Sequence, residues 1–120
     1  MRILTAHDAV QLIPDGATVA ISGGGYRVVP EALLEALSQA SRAGTGPTGL
    51  TAIAIAWLER ARGGRGGNGT GLNLLAVPNL LDRIISSSYS RSRTSEMGKA
   101  IRADQLAAFN YPMGLSLIHI

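Results

Sequence analysis

The chain has 120 residues, 46% of them hydrophobic, 4% aromatic and 16% charged, with a net charge of +3. That length suits one small domain or a piece of a larger one, and the hydrophobic share is enough for a packed core, so disorder is not the default. The absence of cysteine excludes disulfides, thiolate metal sites and a cysteine nucleophile. No apolar run reaches the roughly 18 residues of a transmembrane helix. The weak positive charge permits an anionic ligand without arguing for nucleic acid. Met1–Leu4 lead straight into a polar helix start with no signal peptide, so a cytoplasmic protein is expected.

Thr5–Ile13, "TAHDAVQLI", reads as a helix. Thr5 can cap it with Asp8 as an acidic partner, and Ala6, Ala9, Val10 and Ile13 share one face. Pro14–Asp15–Gly16 ends it in a turn. Ala17–Ser22 is a short, nearly all-apolar strand of the kind buried on both faces of a parallel sheet. Gly23–Gly24–Gly25 follows. A second helix begins at Pro30, with Glu31 at its positive end and Leu33, Leu34 and Leu37 toward the core. Ala43–Gly49 is the linker back to a second strand, Leu50–Ala56. Together these form a β-α-β unit with a right-handed crossover.

Trp57–Gly71, "WLERARGGRGGNGTG", becomes a flexible basic loop. Leu72–Leu81 reads as an apolar helix broken or bounded by Pro78, and Arg83–Tyr89 as a third strand. Thr94 or Ser95 caps a helix over Glu96–Arg102. Gln105–Tyr111 is a fourth strand ending in a Pro–Met–Gly turn.

The glycine turn is the strongest chemical signal. Glycine lets a ligand approach the backbone closely, and the N–H groups of a following helix suit an anion. The carboxyl end of a strand in an α/β sheet is also where ligands bind. The dinucleotide fingerprint nevertheless fails: its third glycine falls on Val28, and no acidic residue ends the second strand. From spacing, a structural turn and a ligand loop stay equally open. "RGGRGGNG" over Arg62–Gly69 reads as a solvated loop rather than a phosphate cradle or an RNA-binding segment. Arg91 and Arg93 fit a solvated loop, and His7 a surface histidine. Glu31, Glu35 and Glu96 fit helix surfaces, and Glu59 is a poor match for a ribose ligand. Ser86–Ser88 lacks a G-x-S-x-G elbow. No catalytic constellation is visible, and no metal site.

Three stretches carry a family resemblance. They are "LTAHDAVQLIPDGATVAISGGGYRVVPEALLEAL", "GTGLNLLAVPNLLDRII" and "SEMGKAIRADQLAAFNYPMG", and they span most of residues 4 to 114. In this order they resemble the N-terminal part of family I coenzyme A transferases, of the single-chain acetate or propionate type and the acyl-CoA:acetate/3-ketoacid type. The resemblance implies an open parallel-sheet, Rossmann-like α/β CoA-transferase fold, truncated here. It implies transfer of CoA from a short-chain acyl-CoA to an acetate-type carboxylate through a glutamyl-CoA intermediate. No residue here matches the family's glutamate motif, so no catalytic residue is assigned.

Gly23, Gly24 and Gly25, with Asn110, Pro112, Met113 and Gly114, are expected to border the substrate and CoA cleft. CoA is then a substrate, and no cofactor is implied. The expected partners are a missing C-terminal half or β subunit, and further copies of the full-length protein; neither nucleic acid nor a membrane is expected. Departures from the family are Ser22 and Val28 around the glycine turn and Ser87–Ser88–Tyr89–Ser90 in place of G-G-H-W-G. Met113 also replaces a glutamine and offers no amide. Residues 1–114 are read as a partial domain. Leu115–Ile120, "LSLIHI", resembles translated sequencing adapter and is set aside as non-native. The alternatives are a stand-alone CoA- or nucleotide-binding module and a non-catalytic subunit.

Overall fold

The computed structural model describes residues 3–23, 28–55, 61–62, 65–66, 70–89 and 95–112. The Thr5 hydroxyl opens helix α1 (Ala6–Val10) by accepting from the Asp8 N–H at 3.1 Å and donating to the Asp8 carboxylate at 2.7 Å. The helix stops at Val10, short of the expected Ile13, and a turn carries the chain to strand β1 (Thr18–Ile21). Helix α2 (Glu31–Arg42) buries Leu34 and Leu37, whereas Leu33, expected in the core, is 45% exposed. A tight turn then leads to β2 (Leu50–Ala54). A Cβ on Gly46 would meet the Ser41 nitrogen at 2.7 Å, so only glycine fits against the end of α2.

The expected basic loop contains a two-residue antiparallel ladder of β3 (Ala61–Arg62) and β4 (Arg65–Gly66). The expected helix over Leu72–Leu81 is a 3₁₀ helix over Gly71–Leu75, followed by turns. Gly71 enters it with φ of +56°, which is not α-helical, and Pro78 has no N–H to continue the ladder. Leu81 belongs instead to β5 (Leu81–Ser86), which starts two residues before the expected strand. Helix α3 (Glu96–Arg102) is capped by Ser95, whose hydroxyl accepts from the Gly98 N–H at 3.3 Å. Strand β6 (Ala107–Asn110) closes the described order.

The four main strands form one open parallel sheet in the order β1-β2-β5-β6. Each crossover steps in the same direction. Crossovers of one hand then fall on one face, and parallel sheets take the right hand. Core membership agrees: Val10 of α1, Leu34 and Leu37 of α2, Leu72 and Leu75 of the 3₁₀ helix and Met97 of α3 join Ile21, Ala52, Ala54 and Ile84 of the sheet. Burial on both faces was expected of the first strand, but Thr18 and Ala20 are exposed. One face is packed under the helices; the opposite face is not part of that core.

Two polar latches set the geometry at the ends of this layer. At the amino edge the Asp15 carboxylate accepts from the Thr48 N–H at 2.8 Å, and Gly16 N–H donates to the Thr48 carbonyl at 2.9 Å. Between the helices, Asn73 is 2% exposed. Its Oδ1 accepts from the Ser95 hydroxyl at 2.8 Å and the Met97 N–H at 3.2 Å. The asparagine of the "GLN" stretch therefore ties the 3₁₀ helix to the start of α3.

Candidate functional site

Parallel strands end on one edge, and their following turns converge there. Gly23 follows β1, Asn110 ends β6 and Pro112 lies just beyond; Gly24, Gly25, Met113 and Gly114 lie outside the described residues. The fold thus brings Gly23 and Asn110–Pro112 to the same edge of the sheet. β1 and β6 are the outermost strands of the described sheet, three spacings apart, or about 14 Å. The candidate site is a strip across the carboxyl edge, and the ends of β2 and β5 fill its middle.

Those middle residues are the serine run. Ser86 is 1% exposed and its hydroxyl donates to the Ser88 carbonyl at 2.9 Å. The Ser87 hydroxyl donates to the Ile55 carbonyl at the end of β2. Both hydroxyls brace the turn, and neither has a histidine or carboxylate against it among the described hydrogen bonds. The Tyr89 hydroxyl lies 2.5 Å from the Phe109 carbonyl and 3.1 Å from the Ile84 carbonyl, so it pins β6 to β5 beside Asn110. Burial raises the Tyr89 phenol above its ordinary value of 10.0. The unfolded chain therefore ionises first. Tyr89 contributes stability fully below about pH 10 and loses it as pH rises through the folded value. The Tyr89→Phe variant is expected to show a shallower fall in urea midpoint above pH 10 than the parent.

Glu31 makes a contact near this edge that helix-surface spacing did not reveal. It is half-buried at the start of α2, and its Oε1 accepts from the Gly71 N–H at 3.0 Å. The carboxylate thereby joins the helix after the glycine turn to the "GTGLN" stretch. Its Oε2 is buried without a hydrogen-bond partner among the described residues. The only hint in the sequence was Pro30–Glu31 itself, because the bond spans 40 residues.

Val28 failed the glycine fingerprint by identity, yet its backbone takes φ of +56° with the side chain 87% exposed. A β-branched residue in that conformation costs about 1–2 kcal/mol. Glycine relieves that cost and loses only about 0.5–1 kcal/mol through the unfolded chain. Val28→Gly is therefore expected to raise stability by about 0.5–1 kcal/mol, read as a higher urea midpoint at unchanged slope.

An apolar cavity of about 290 Å³ lies between α1, α2 and β1, with Val19, Ser22, Pro30, Leu33 and Leu37 among its lining. Its chemistry suits a hydrocarbon segment rather than a charge. Of the other candidates, His7 and Glu35 are exposed, Glu96 is half-buried at the start of α3, and Glu59, Arg91 and Arg93 lie outside the described residues. Among the described residues no group of three His, Asp or Glu is placed to hold a metal ion, and no helix is long and apolar enough to cross a membrane.

No family model and no curated protein matches the sequence. Solved structures do. The chain is similar to the acyl-CoA transferase YdiF of Escherichia coli O157:H7 in a thioester complex with CoA, with a TM-score of 0.77 and 26% identity over 93% of this chain and 20% of that one. The YdiF apoenzyme gives a TM-score of 0.78 at 26% identity, covering 94% of this chain and 21% of that one. The chain thus spans about one fifth of the length of the enzymes it matches. At 26% identity over 93% of its residues, the chain shares the open α/β fold of these acyl-CoA transferases and is similar to about one fifth of their length.

Proposed function

We propose that this chain forms one side of the active-site cleft of a CoA-transferase that exchanges CoA between a short-chain acyl-CoA and an acetate-type carboxylate. The observation that carries this reading is the likeness to YdiF, one of whose structures is a thioester complex with CoA. In the reaction the family implies, a glutamate carboxylate outside this chain attacks the thioester carbonyl. The CoA thiolate leaves and an acyl-glutamyl anhydride forms. The thiolate then attacks the glutamyl carbonyl, the original acyl group departs as its carboxylate, and a glutamyl-CoA thioester remains. The acceptor carboxylate reverses the two steps. No water is consumed and nothing is oxidised or reduced.

This chain's share is binding and orientation. Backbone N–H groups of the Gly23–Gly25 turn and of the Asn110–Gly114 turn are the proposed donors along the thioester, and the net charge of +3 favours the phosphates of CoA. CoA is the substrate of this reaction. A C-terminal half or β subunit supplies the nucleophile, the full-length protein self-associates, and the reaction serves short-chain fatty acid or ketone body metabolism in the cytoplasm. Residues 115–120 take no part.

The test is exchange of isotopically labelled acetate into acetyl-CoA. The chain alone is expected to stay at background. Exchange should appear when the rest of a CoA-transferase is supplied. Turnover by the 120 residues alone would put the nucleophile inside them and sink the proposal.

A further inference from the structure

Three non-glycine residues among those described take a positive φ: Val28 at +56°, Asn79 at +66° and Asp104 at +55°. Asparagine and aspartate visit this region because a short polar side chain can hydrogen-bond locally. Asn79 precedes β5 and Asp104 precedes β6, so both lie toward the amino edge. Val28 is β-branched, the type for which this conformation is a genuine outlier. It lies in the connection from β1 to α2, at the carboxyl edge.

Burial does not offset the strain. Val10, Val19, Val29 and Val77 all belong to the core or pack against it, whereas Val28 is 87% exposed. Its neighbours hold it in place. Val29 packs against the core, and its carbonyl accepts from the Glu31 N–H at 2.8 Å. Glu31 in turn accepts from the Gly71 N–H through Oε1. Strained residues persist where their surroundings over-determine them, and they cluster at ligand sites. The isopropyl group is also stiff, because branching at Cβ restricts χ1. The turn therefore presents a rigid apolar block at the edge where the functional reading places the thioester. Such a block excludes a chain that would run through the same space. One methylene of fit against an apolar wall changes discrimination by about 10–200-fold.

We propose that Val28 sets the acyl-chain length: its isopropyl group bounds the acyl end of the bound thioester, leaving room for an acetyl or propionyl group and none for a longer chain. The proposal rests on the CoA-transferase reading for the identity of the ligand.

The nucleophile of that reading lies outside this chain, so acyl-CoA thioesters bind here without turnover and calorimetric titration gives their Kd values. The probes are CoA, acetyl-CoA and hexanoyl-CoA. The proteins are the parent chain, Val28→Ala and Val28→Gly. Val28→Ala keeps a side chain in the strained conformation and removes its bulk; Val28→Gly removes both. The parent is expected to bind acetyl-CoA at least about tenfold more tightly than hexanoyl-CoA. In Val28→Gly the ratio is expected to fall to about threefold or less, and in Val28→Ala to fall by at least about threefold from the parent. CoA itself, with no acyl group, should bind all three proteins within about twofold.

A parent ratio below about threefold, or a ratio unmoved in Val28→Gly, would overturn the proposal. Relaxation in Val28→Gly with Val28→Ala like the parent would overturn it too, because the backbone and not the side chain would then set the preference. So would a parallel loss for CoA and both thioesters, which would mark Val28 as a support for the turn. The functional reading is scored separately. Absence of binding by CoA and both thioesters sinks that reading and this proposal together, whereas CoA binding with an unmoved acyl ratio sinks this proposal alone.

Discussion

Ile84→Ala is expected to destabilise the chain by about 3–4 kcal/mol, the cost of deleting a fully buried branched side chain and leaving a cavity. The same change at the next residue, Ile85→Ala, is expected to cost about 1 kcal/mol or less. The two isoleucines are chemically identical and adjacent in β5, but Ile84 is 0% exposed beneath the helices while Ile85 lies half-buried on the opposite face. Urea denaturation of both variants measures the difference. Equal losses would mean that both faces of the sheet are packed within this chain. A large loss at Ile84 alone would confirm that the packed core lies on the Ile84 face.

Asn73→Ala is expected to be comparably severe, at about 3 kcal/mol. Its side chain is buried, and Oδ1 accepts two hydrogen bonds, from the Ser95 hydroxyl and the Met97 N–H. Removing the acceptor strands two donors in the core, and each costs about 1–3 kcal/mol when left unpaired. Asn73→Asp keeps the acceptor but buries a charge, so it is not a mild control. Ser95→Ala removes one of the two bonds and a helix cap, for a loss of about 1–2 kcal/mol. Summed single losses larger than that of the double variant Asn73→Ala/Ser95→Ala would show that the two residues act through one shared bond.

Local chemistry made much of this fold legible. Thr5 with Asp8, and Ser95 before Glu96–Arg102, announced their helices because a cap is a contact between near neighbours in sequence. Alternating apolar strands and helices announced the parallel order, and with it the edge on which the glycine turn and the Asn110 turn both lie. The "LNLLAVPNLL" stretch was misleading because its leucines are buried for three different reasons: Leu72 and Leu75 in a 3₁₀ helix, Leu80 in a turn and Leu81 in a strand. Apolar content alone does not separate these. The one-sided sheet was equally hidden. "TVAI" reads as part of a strand buried on both faces, and it records a need for cover without saying who supplies it. Glu31 with Gly71 and Tyr89 with Phe109 are long-range bonds, and no periodicity points to either. The backbone of Val28 was not legible for another reason: its φ is the one a glycine would take, and residue identity does not report that.

The carboxyl-edge strip is the centre of the functional reading, and amide chemical-shift mapping with CoA tests it most directly. On titration of CoA into the isotopically labelled chain, the largest shifts are expected at Ser22, Gly23, Ser86–Ser88, Asn110 and Tyr111. The amino-edge residues Gly16, Thr48 and Asn79 should stay in place. Shifts concentrated at that amino edge, or no shifts at millimolar CoA, would contradict a CoA cleft on this side of the sheet.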